Sequence, residues 1–378
     1  MVSSKPFDVI VIGAGIAGAG VAAELSATHR VLLLEQESEP GRHATGRSAA
    51  LYSAIYGGDQ IRALTQASRA FFHSPHDDFT SARLLQPRGS LHIATEAQAP
   101  DLIRFAGLED VAPLTRQLGP AEAEALCPIL RPGHVALALY EPEAADIEVD
   151  LLHAGYLRGF KANGGQLVCD QAVIGGERRA GLWRIRTTSQ TVEAPVIVNA
   201  AGAWADEIAA LLGAQSIGLQ PKRRTAVLVN APSDARIQSW PLVIDAGEEF
   251  YFKPDAGLLL LSPGDETDSP PCDAQPEELD IATAVYRVEQ ATTLQVETVR
   301  HRWAGLRSFV PDRQPVVGYA SEVKGFFWLA GQGGYGIQTA PALSRAAAAL
   351  VKETTLPSDL LEHGVSQTAL SPSRTVIL

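Results

Sequence analysis

Three glycines and a glutamate near the start of the chain stand at a spacing with a clear chemical use. Gly13, Gly15 and Gly18 follow the apolar run at residues 7–12, and Glu35 comes 22 positions after Gly13. Gly13 permits a tight turn, Gly15 lets the backbone approach a pyrophosphate, and Gly18 lets a helix pack closely on a strand. Helix N-terminal amides then face the phosphates, and the carboxylate of Glu35 can accept from ribose hydroxyls. This strand–turn–helix–strand–acid pattern predicts a dinucleotide site.

A second candidate group lies in the polar loop QESEPGRHATGRSAALYS that follows this unit. Thr45, Gly46, Arg47 and Ser48 could start another helix, with a backbone nest shaped for a phosphate or a ring. His43 is the one histidine near a motif, and we interpret it as a cofactor contact. An ordinary surface loop is the alternative.

Two further strand–glycine–helix junctions occur along the chain. The apolar strand at residues 195–199 leads into AAGAW and a helix from Ala205, and the strand at 326–330 leads into GQGGYG and a helix at 339–350. Three such junctions on one sheet suit FAD better than NAD, and a helix N-terminus can face the flavin edge where charge develops on reduction. Simple chain reversal is the alternative for residues 331–336.

The stretches between these junctions predict the rest of the architecture. Helical periodicity marks residues 61–72, 119–126, 146–162 and 280–292, and short strands with tight turns fill much of the remainder. The fold class is therefore α/β, with a Rossmann-like domain and a mostly antiparallel β-sheet substrate domain (α+β), both discontinuous. We expect the first domain at residues 1–82, 145–221 and 302–378, and the second at 83–144 and 222–301.

Composition excludes several classes of protein. The formal net charge of −12 disfavours nucleic-acid binding, and no apolar run is long enough to span a membrane. The start MVSSKPFD enters the first strand at once, so we expect no signal peptide. The cysteines, Cys127, Cys169 and Cys272, are odd in number and lack metal spacing, which suits a reducing, cytoplasmic location. No metal-ligand or Ser/His/Asp constellation stands out.

Eight motifs taken together resemble the D-amino-acid oxidase superfamily of FAD enzymes, and within it the bacterial D-arginine dehydrogenases. They are VIVIGAGIAGAG, Glu35, ATGRSAALYS, VIVNAAGAWAD, LQPKRRTA, FYFKPDAG, HRWAGLRSFVPD and GQGGYGIQT, in that order and across essentially the whole chain. The resemblance implies a glutathione-reductase-type FAD domain with noncovalent FAD, since the chain has no cysteine between Arg307 and Gly336, where sarcosine-oxidase relatives attach flavin. It also implies oxidation of an amine α to a carboxylate, with an imino acid that hydrolyses to a 2-oxo acid and ammonia.

The resemblance implies the FAD contacts residue by residue. They are Gly13, Ala14, Gly15, Ile16, Ala17, Gly18, Glu35, Gln36, His43, Thr45, Gly46, Arg47, Ser48, Ala49, Ala50, Val173, Ala200, Ala201, Gly202, Trp204, Arg307, Gly333, Gly334, Tyr335, Gly336, Ile337 and Gln338.

Substrate-binding residues follow from chemistry and resemblance together. A carboxylate is best fixed by an arginine fork, and the candidates are Arg224 and Arg307. Tyr56 and Tyr251 match positions whose hydroxyls hold or cover the carboxylate, and Gly305 and Gly334 match positions whose carbonyls accept from the amine. No side chain is assigned as an obligatory base, because hydride transfer from a neutral amine needs only alignment and desolvation.

Two departures from the D-arginine dehydrogenase pattern concern the substrate side chain. Ser90 stands where those enzymes have a glutamate that pairs with a cationic substrate, and Leu51 replaces a histidine. Since an unpaired buried cation is costly, we expect neutral, mainly apolar D-amino acids to be preferred. Asp245 or Glu249 could supply the acid instead, and D-arginine or D-lysine would then be the substrate.

Other functions stay open at this point. Within the flavoenzymes, the alternatives are oxidation of secondary amines such as sarcosine, of glycine, or of a 2-hydroxy acid. The electron acceptor is oxygen or a quinone-like molecule. An NAD-dependent dehydrogenase and a flavoprotein acting on RNA are disfavoured by the three junctions and by the charge.

Overall fold

The computed structural model describes residues 6–76, 78–233 and 237–374. The strands are β1 (Val9–Ile12), β2 (Val31–Leu34), β3 (Leu51–Tyr52), β4 (Leu85–Pro87), β5 (Ser90–Ala94), β6 (Arg116–Leu118), β7 (Leu137–Glu141), β8 (Ala145–Ile147), β9 (Gln166–Val168), β10 (Val173–Arg179), β11 (Leu182–Thr187), β12 (Thr191–Ala194), β13 (Val196–Asn199), β14 (Gln220–Asn230), β15 (Leu242–Asp245), β16 (Tyr251–Asp255), β17 (Leu258–Ser262), β18 (Thr267–Asp268), β19 (Val299–Phe309), β20 (Val316–Tyr319) and β21 (Phe326–Ala330).

The α-helices are α1 (Ile16–Ser26), α2 (Asp59–His73), α3 (Ala99–Ala106), α4 (Pro120–Leu126), α5 (Val149–Ala162), α6 (Ala205–Leu212), α7 (Glu278–Ala291), α8 (Gly336–Val351), α9 (Ser358–Glu362) and α10 (Gln367–Leu370). In the described part of the chain, no helix combines the length and apolar character that crossing a membrane requires.

A six-stranded sheet carries the three glycine junctions. Its order is β20-β21-β13-β1-β2-β9, with parallel pairing everywhere except between β20 and β21. All four residues of β1 and of β2 are buried, as expected for a parallel sheet covered on both faces. Helices α1 and α8 pack in the core on one face, while α6 and the strands β10–β12 cover the other. The carboxyl ends of β1, β13 and β21 therefore place their glycine turns at one edge.

The second large sheet has nine strands and forms the opposite wall of the site. Its path is β18-β14-β17-β16-β15-β5-β7-β6, and β19 pairs with β14 beside this path. Every pair is antiparallel except β15 with β5. Its interior packs around Trp240, Phe252 and α7. The α/β fold class with a mostly antiparallel second sheet is thus confirmed.

Three local predictions were wrong. The stretch 146–162 is not one helix: Ala145–Ile147 forms β8, because it pairs with β3 and β4, and α5 begins only at Val149. Thr45–Ser48 starts no helix; the loop closes in turns and continues into β3. The expected boundaries at 221/222 and 301/302 fall inside β14 and β19, which pair with each other, so no linker lies there.

Candidate active site

A long cavity runs between the glycine edge of the parallel sheet and the nine-stranded sheet. At one end it is lined by the β1–α1 turn, the loop at residues 41–51 and the turn after β13; at the other it is lined by β14, β15, β16, β19 and residues 332–338. Parallel sheets bind ligands outside the carboxyl ends of their strands, so this location matches the chain topology.

The glycines of the first turn leave room that a side chain would fill. A Cβ on Gly13 would stand 2.5 Å from the carbonyl oxygen of Ala200, and one on Gly18 would stand 1.8 Å from that of Gly13. Gly13 also has a φ of +97°, in the left-handed region. Gly13 and Gly15 line the cavity, whereas Gly18 lies behind it as the contact between α1 and the turn.

Glu35 is held with its carboxylate at the cavity wall. It is buried, one oxygen accepts from the Ala14 amide at 2.8 Å, and the other accepts from the Glu37 amide at 3.1 Å. Each carboxylate oxygen retains acceptor capacity for ribose hydroxyls. Across the turn, the carbonyl of Ala14 accepts from Nε2 of His153 at 2.8 Å, which fixes the turn from its other side.

The loop after β2 closes over the start of α1. The hydroxyl of Thr45 accepts from the Ile16 amide at 3.0 Å, which caps α1 from 29 residues away. His43 bonds Glu37 at 2.8 Å and packs on Trp204 with ring centroids 4.7 Å apart, while its Nδ1 is buried without a partner among the described residues. His43 lines the cavity, so its side chain can contact a ligand there.

These features fit FAD. The turn offers space at the N-terminus of α1 for a pyrophosphate, and Glu35 offers acceptors for a ribose. Helix α8 begins at Gly336 with no side-chain cap, and Gly336, Ile337 and Gln338 line the cavity, so its N-terminus faces the ligand space. The described residues contain no group of three or more His, Cys, Asp or Glu side chains that could hold a metal ion.

Arg307 lies at the other end of the cavity and has no acid partner among the described residues. It lies on β19, and its Nη1 stands 3.4 Å from the hydroxyl of Tyr56. Among the described residues no carboxylate lies within ion-pair distance of it. Burial disfavours its charge, but Tyr56 and Tyr251 raise its pKa above the ordinary arginine value. An arginine held charged and unpaired in a cavity is suited to bind an anion.

Arg224 faces the same cavity but already has partners. It lies opposite Gly305 in the β14–β19 register. Its Nε donates to the Asp265 carbonyl at 2.7 Å, and its Nη2 lies 3.4 Å from a carboxylate oxygen of Glu266. Part of its donor capacity is therefore used within the protein.

The two tyrosines lie close to these arginines. Burial raises the pKa of Tyr56 and outweighs the opposing effect of Arg307. For Tyr251, burial also acts to raise the pKa, but Arg307 and Arg224 outweigh it, and the net pKa is lowered. Tyr251 therefore sits in a strongly positive part of the cavity.

Gly305 and Gly334 form the backbone wall of the cavity at the Arg307 end. A Cβ on Gly334 would stand 2.9 Å from the Arg307 guanidinium, and one on Gly305 would stand 3.4 Å from Cβ of Arg47. Both glycines line the cavity, and a side chain at residue 334 would crowd the Arg307 guanidinium.

The structure brings nearly all of the predicted residues to this one cavity. Those that do not line it are Ala14, Gly18, Gly46, Tyr335 and Ser90. The first three support the turns by backbone contacts, and the Tyr335 ring packs on Tyr56 with centroids 4.8 Å apart.

The placement of Ser90 in the side-chain pocket was wrong. Ser90 is fully buried on β5, opposite Leu242, and the larger Leu242 side chain lines the cavity. The Ser90 hydroxyl donates instead to Glu141 at 3.1 Å. Leu51 does line the cavity, as expected.

The two acids suggested as replacements do not line the cavity either. Asp245 accepts from the amides of Gly247 and Glu249 and from Gln98, so it closes the β15–β16 turn. Glu249 pairs with Arg287 outside the cavity.

Sequence reasoning missed several side chains that line the cavity, among them the following four. Leu242 and Ile244 project from β15, Ser53 follows β3, and Glu248 lies in the β15–β16 turn with a φ of +56°. The alternation of β15 signals a wall residue at every second position. Nothing in the sequence indicates that the turn folds over the cavity.

Comparison with known proteins agrees with this geometry. The model of the DAO family, described as FAD dependent oxidoreductase, matches residues 8–350. An uncharacterized oxidoreductase of Bacillus subtilis, YurR, is 27% identical over 92% of this chain and 96% of its own length. Mitochondrial dimethylglycine dehydrogenase of Rattus norvegicus is 23% identical over 94% of this chain, which spans 44% of that longer protein.

Among solved structures, glycine oxidase from Geobacillus kaustophilus superposes with a TM-score of 0.82 and 24% identity, covering 96% of this chain and 99% of that one. A particular closeness to D-arginine dehydrogenases stays a prediction from the motifs. Because the family model matches most of the length, the chain belongs to the DAO family of FAD-dependent oxidoreductases.

Proposed function

We propose that this flavoenzyme oxidises the α-amine of neutral, mainly apolar D-amino acids, such as methionine, leucine or phenylalanine. The observation that carries the proposal is Arg307, a half-buried guanidinium with no acid partner among the described residues, at the cavity end opposite the dinucleotide turn. Its planar fork would bind the substrate carboxylate, with the Tyr56 and Tyr251 hydroxyls beside it.

The residues around Arg307 would orient the rest of the substrate. With the carboxylate fixed, the amine can donate to the carbonyls of Gly305 and Gly334, which line the same space. When bound, FAD supplies the acceptor for the hydride that leaves the substrate Cα. The substrate loses that hydride and one proton from nitrogen, which leaves a C=N bond. Water then hydrolyses the imino acid to a 2-oxo acid and ammonia.

The side chain of the substrate would meet an apolar wall. Leu242 and Ile244 line the cavity from β15, where Ile244 lies opposite Tyr251. Leu51 also lines the cavity, and Ser90 is not a wall residue. Burying apolar surface against these side chains favours neutral substrates, whereas a cation would need an acid partner. D-arginine or D-lysine is favoured by one observation, namely that the acid Glu248 lines the same cavity.

Oxidation of glycine or of a secondary amine is the second candidate. Its support is the likeness to proteins named glycine oxidase and dimethylglycine dehydrogenase. Such substrates also carry a carboxylate for Arg307 but would leave the apolar wall unused. The D configuration, a cytoplasmic location and the acceptor, oxygen or a quinone-like molecule, stay predictions.

A panel of D- and L-amino acids, glycine and sarcosine, compared by kcat/KM with an artificial electron acceptor, tests the proposal. We expect D-methionine, D-leucine and D-phenylalanine to be the best substrates. D-arginine as the best substrate would contradict the preference, and its rate should then fall in Glu248→Gln. Sarcosine or glycine as the best substrate would establish the second candidate.

A further inference from the structure

Glu141 is a buried acid next to the cavity that the proposed reaction does not use. It ends β7 in register opposite Ser90 and is 1% exposed. Its hydrogen-bond donors include the hydroxyl of Ser53 at 2.6 Å, that of Ser90 at 3.1 Å and the amide of Ala54 at 2.7 Å. Among the described residues no Lys, Arg or His forms an ion pair with it. Burying an acid without a cation is costly, so its retention calls for a role.

The donors fix the direction of the Ser53 hydroxyl. Burial raises the pKa of Glu141, and the hydrogen bonds from Ser53, Ala54 and Ser90 oppose this rise by stabilising the carboxylate. The carboxylate form only accepts hydrogen bonds, so in that form the single Ser53 proton is committed to Glu141. Ser53 lines the cavity, and with its proton given to Glu141 the hydroxyl oxygen has only lone pairs left for a ligand. The Ser53 amide also donates to Oε1 of Gln338 at 3.3 Å, and Gln338 Nε2 donates to Thr65 at 2.9 Å, which holds the serine in place.

We propose that Ser53 is a ligand-binding acceptor for an N–H donor in the cavity, and that Glu141 is the positioning residue that keeps it an acceptor. Two donors have this chemistry: the substrate amine, and an N–H on the edge of the flavin ring. Ser53 stands between Gln338, a cavity residue at the start of α8, and Tyr56, whose amide lies 3.4 Å from the Ser53 carbonyl. The case in which the substrate amine is the donor rests on the proposed function, whereas the case in which flavin is the donor does not.

Glu141→Gln tests the direction of the hydrogen bond. The glutamine oxygen can keep the Ala54 amide, and its NH₂ then donates to Ser53. The Ser53 proton must turn towards the cavity, so the acceptor becomes a donor. Ser53→Ala removes the acceptor altogether, and Ser53→Thr should restore it. Ser68→Ala is the matched control, because Ser68 is equally buried but bonds only Leu64 and Ala342 on α2 and α8.

Three dissociation constants are measured for each variant: FAD by its fluorescence, and anthranilate and benzoate by the change they cause in the spectrum of bound flavin. Anthranilate carries an amine beside its carboxylate, and benzoate does not. If the substrate amine is the donor, Ser53→Ala and Glu141→Gln should raise the dissociation constant of anthranilate roughly 3- to 10-fold. The dissociation constants of benzoate and FAD should stay unchanged. If flavin is the donor, the dissociation constant of FAD should rise by a similar factor, while the ratio of the anthranilate and benzoate dissociation constants stays the same.

Affinities that match those of Ser68→Ala in all three measurements would overturn the proposal. Should Glu141→Gln fail to fold, the contrast between Ser53→Ala and Ser53→Thr decides alone. Failure of the proposed function is seen separately, because the unaltered holoenzyme would then not be reduced by D-methionine, D-leucine or D-phenylalanine.

Discussion

Arg307 and Arg224 line the same cavity but differ in their partners. Arg307 has a tyrosine hydroxyl at 3.4 Å and no acid partner in the part of the chain that the structure describes, whereas Arg224 already donates to Asp265 and approaches Glu266. The sequence motifs predicted both as carboxylate ligands and could not rank them, since the partners of Arg224 lie about 40 positions further along the chain.

Arg307→Met should therefore weaken carboxylate binding more than Arg224→Met. A charge-assisted fork contributes roughly 1.5–3 kcal/mol, so we expect KM to rise about 10- to 100-fold for Arg307→Met with FAD still bound. The rise should be smaller for Arg224→Met. Steady-state kinetics at saturating FAD measure both, and equal effects would contradict the distinction drawn between the two arginines.

His92 gives a pH dependence at a single residue. It is half-buried beside Phe105, its buried Nε2 has no partner among the described residues, and desolvation lowers its pKa from 6.5 to about 4. Between these values the unfolded chain binds a proton that the folded chain does not, so the free energy of unfolding falls as pH drops from 6.5 to 4. The loss is at most about 3 kcal/mol.

His92→Gln should flatten this slope, as measured by urea unfolding at pH 7 and at pH 4.5. The exposed His301 offers a matched control, and His301→Gln should keep the slope of the unaltered protein. A slope that His92→Gln does not change would assign acid sensitivity to other groups.

At the scale of elements, the first turn and its helix depend on glycine for contact as well as for conformation. A Cβ on Gly18 would overlap the carbonyl of Gly13, a backbone atom that cannot move aside, whereas one on Gly159 in α5 would meet nothing within 4 Å. Both glycines are helical, so the pair separates packing from helix propensity.

Gly18→Ala should abolish FAD binding and lower the unfolding temperature, because α1 must shift away from β1. Gly159→Ala should leave FAD binding intact and stabilise the protein by roughly 0.5–1 kcal/mol. Fluorescence titration with FAD and thermal unfolding measure the two effects. A Gly18→Ala variant that binds FAD normally would show that the close approach is not required.

Elements with local signals were predictable, and those that depend on partners were not. The strands β1, β2, β13 and β21 and their glycine turns follow from apolar runs and glycine spacing in the sequence. By contrast, β8 forms because two distant strands pair with it, and Ser90 turns to Glu141 because β7 lies opposite. Strand register is set by tertiary pairing, so a pocket residue inferred from one position can be misplaced.

For the whole molecule, the cavity between the two sheets sets how FAD is held. Cys127 is buried and Cys169 is half-buried, while Cys272 is exposed and lines the cavity. We predict noncovalent FAD, so acid precipitation should release the yellow colour into the supernatant. Colour retained in the pellet would contradict noncovalent binding. If Cys272→Ser then released the colour, Cys272 would be the residue that attaches the flavin.

One measurement tests the central claim, that this flavoprotein oxidises amino acids bound through Arg307. The FAD-loaded protein is mixed anaerobically with D-methionine, and the visible absorption of the flavin is followed. We predict bleaching with D-methionine, none with L-methionine, and recovery of the band when an electron acceptor is added. In Arg307→Met, much more D-methionine should be needed. A flavin that stays oxidised with D-methionine and every other amino acid, including glycine, sarcosine and proline, would contradict the account.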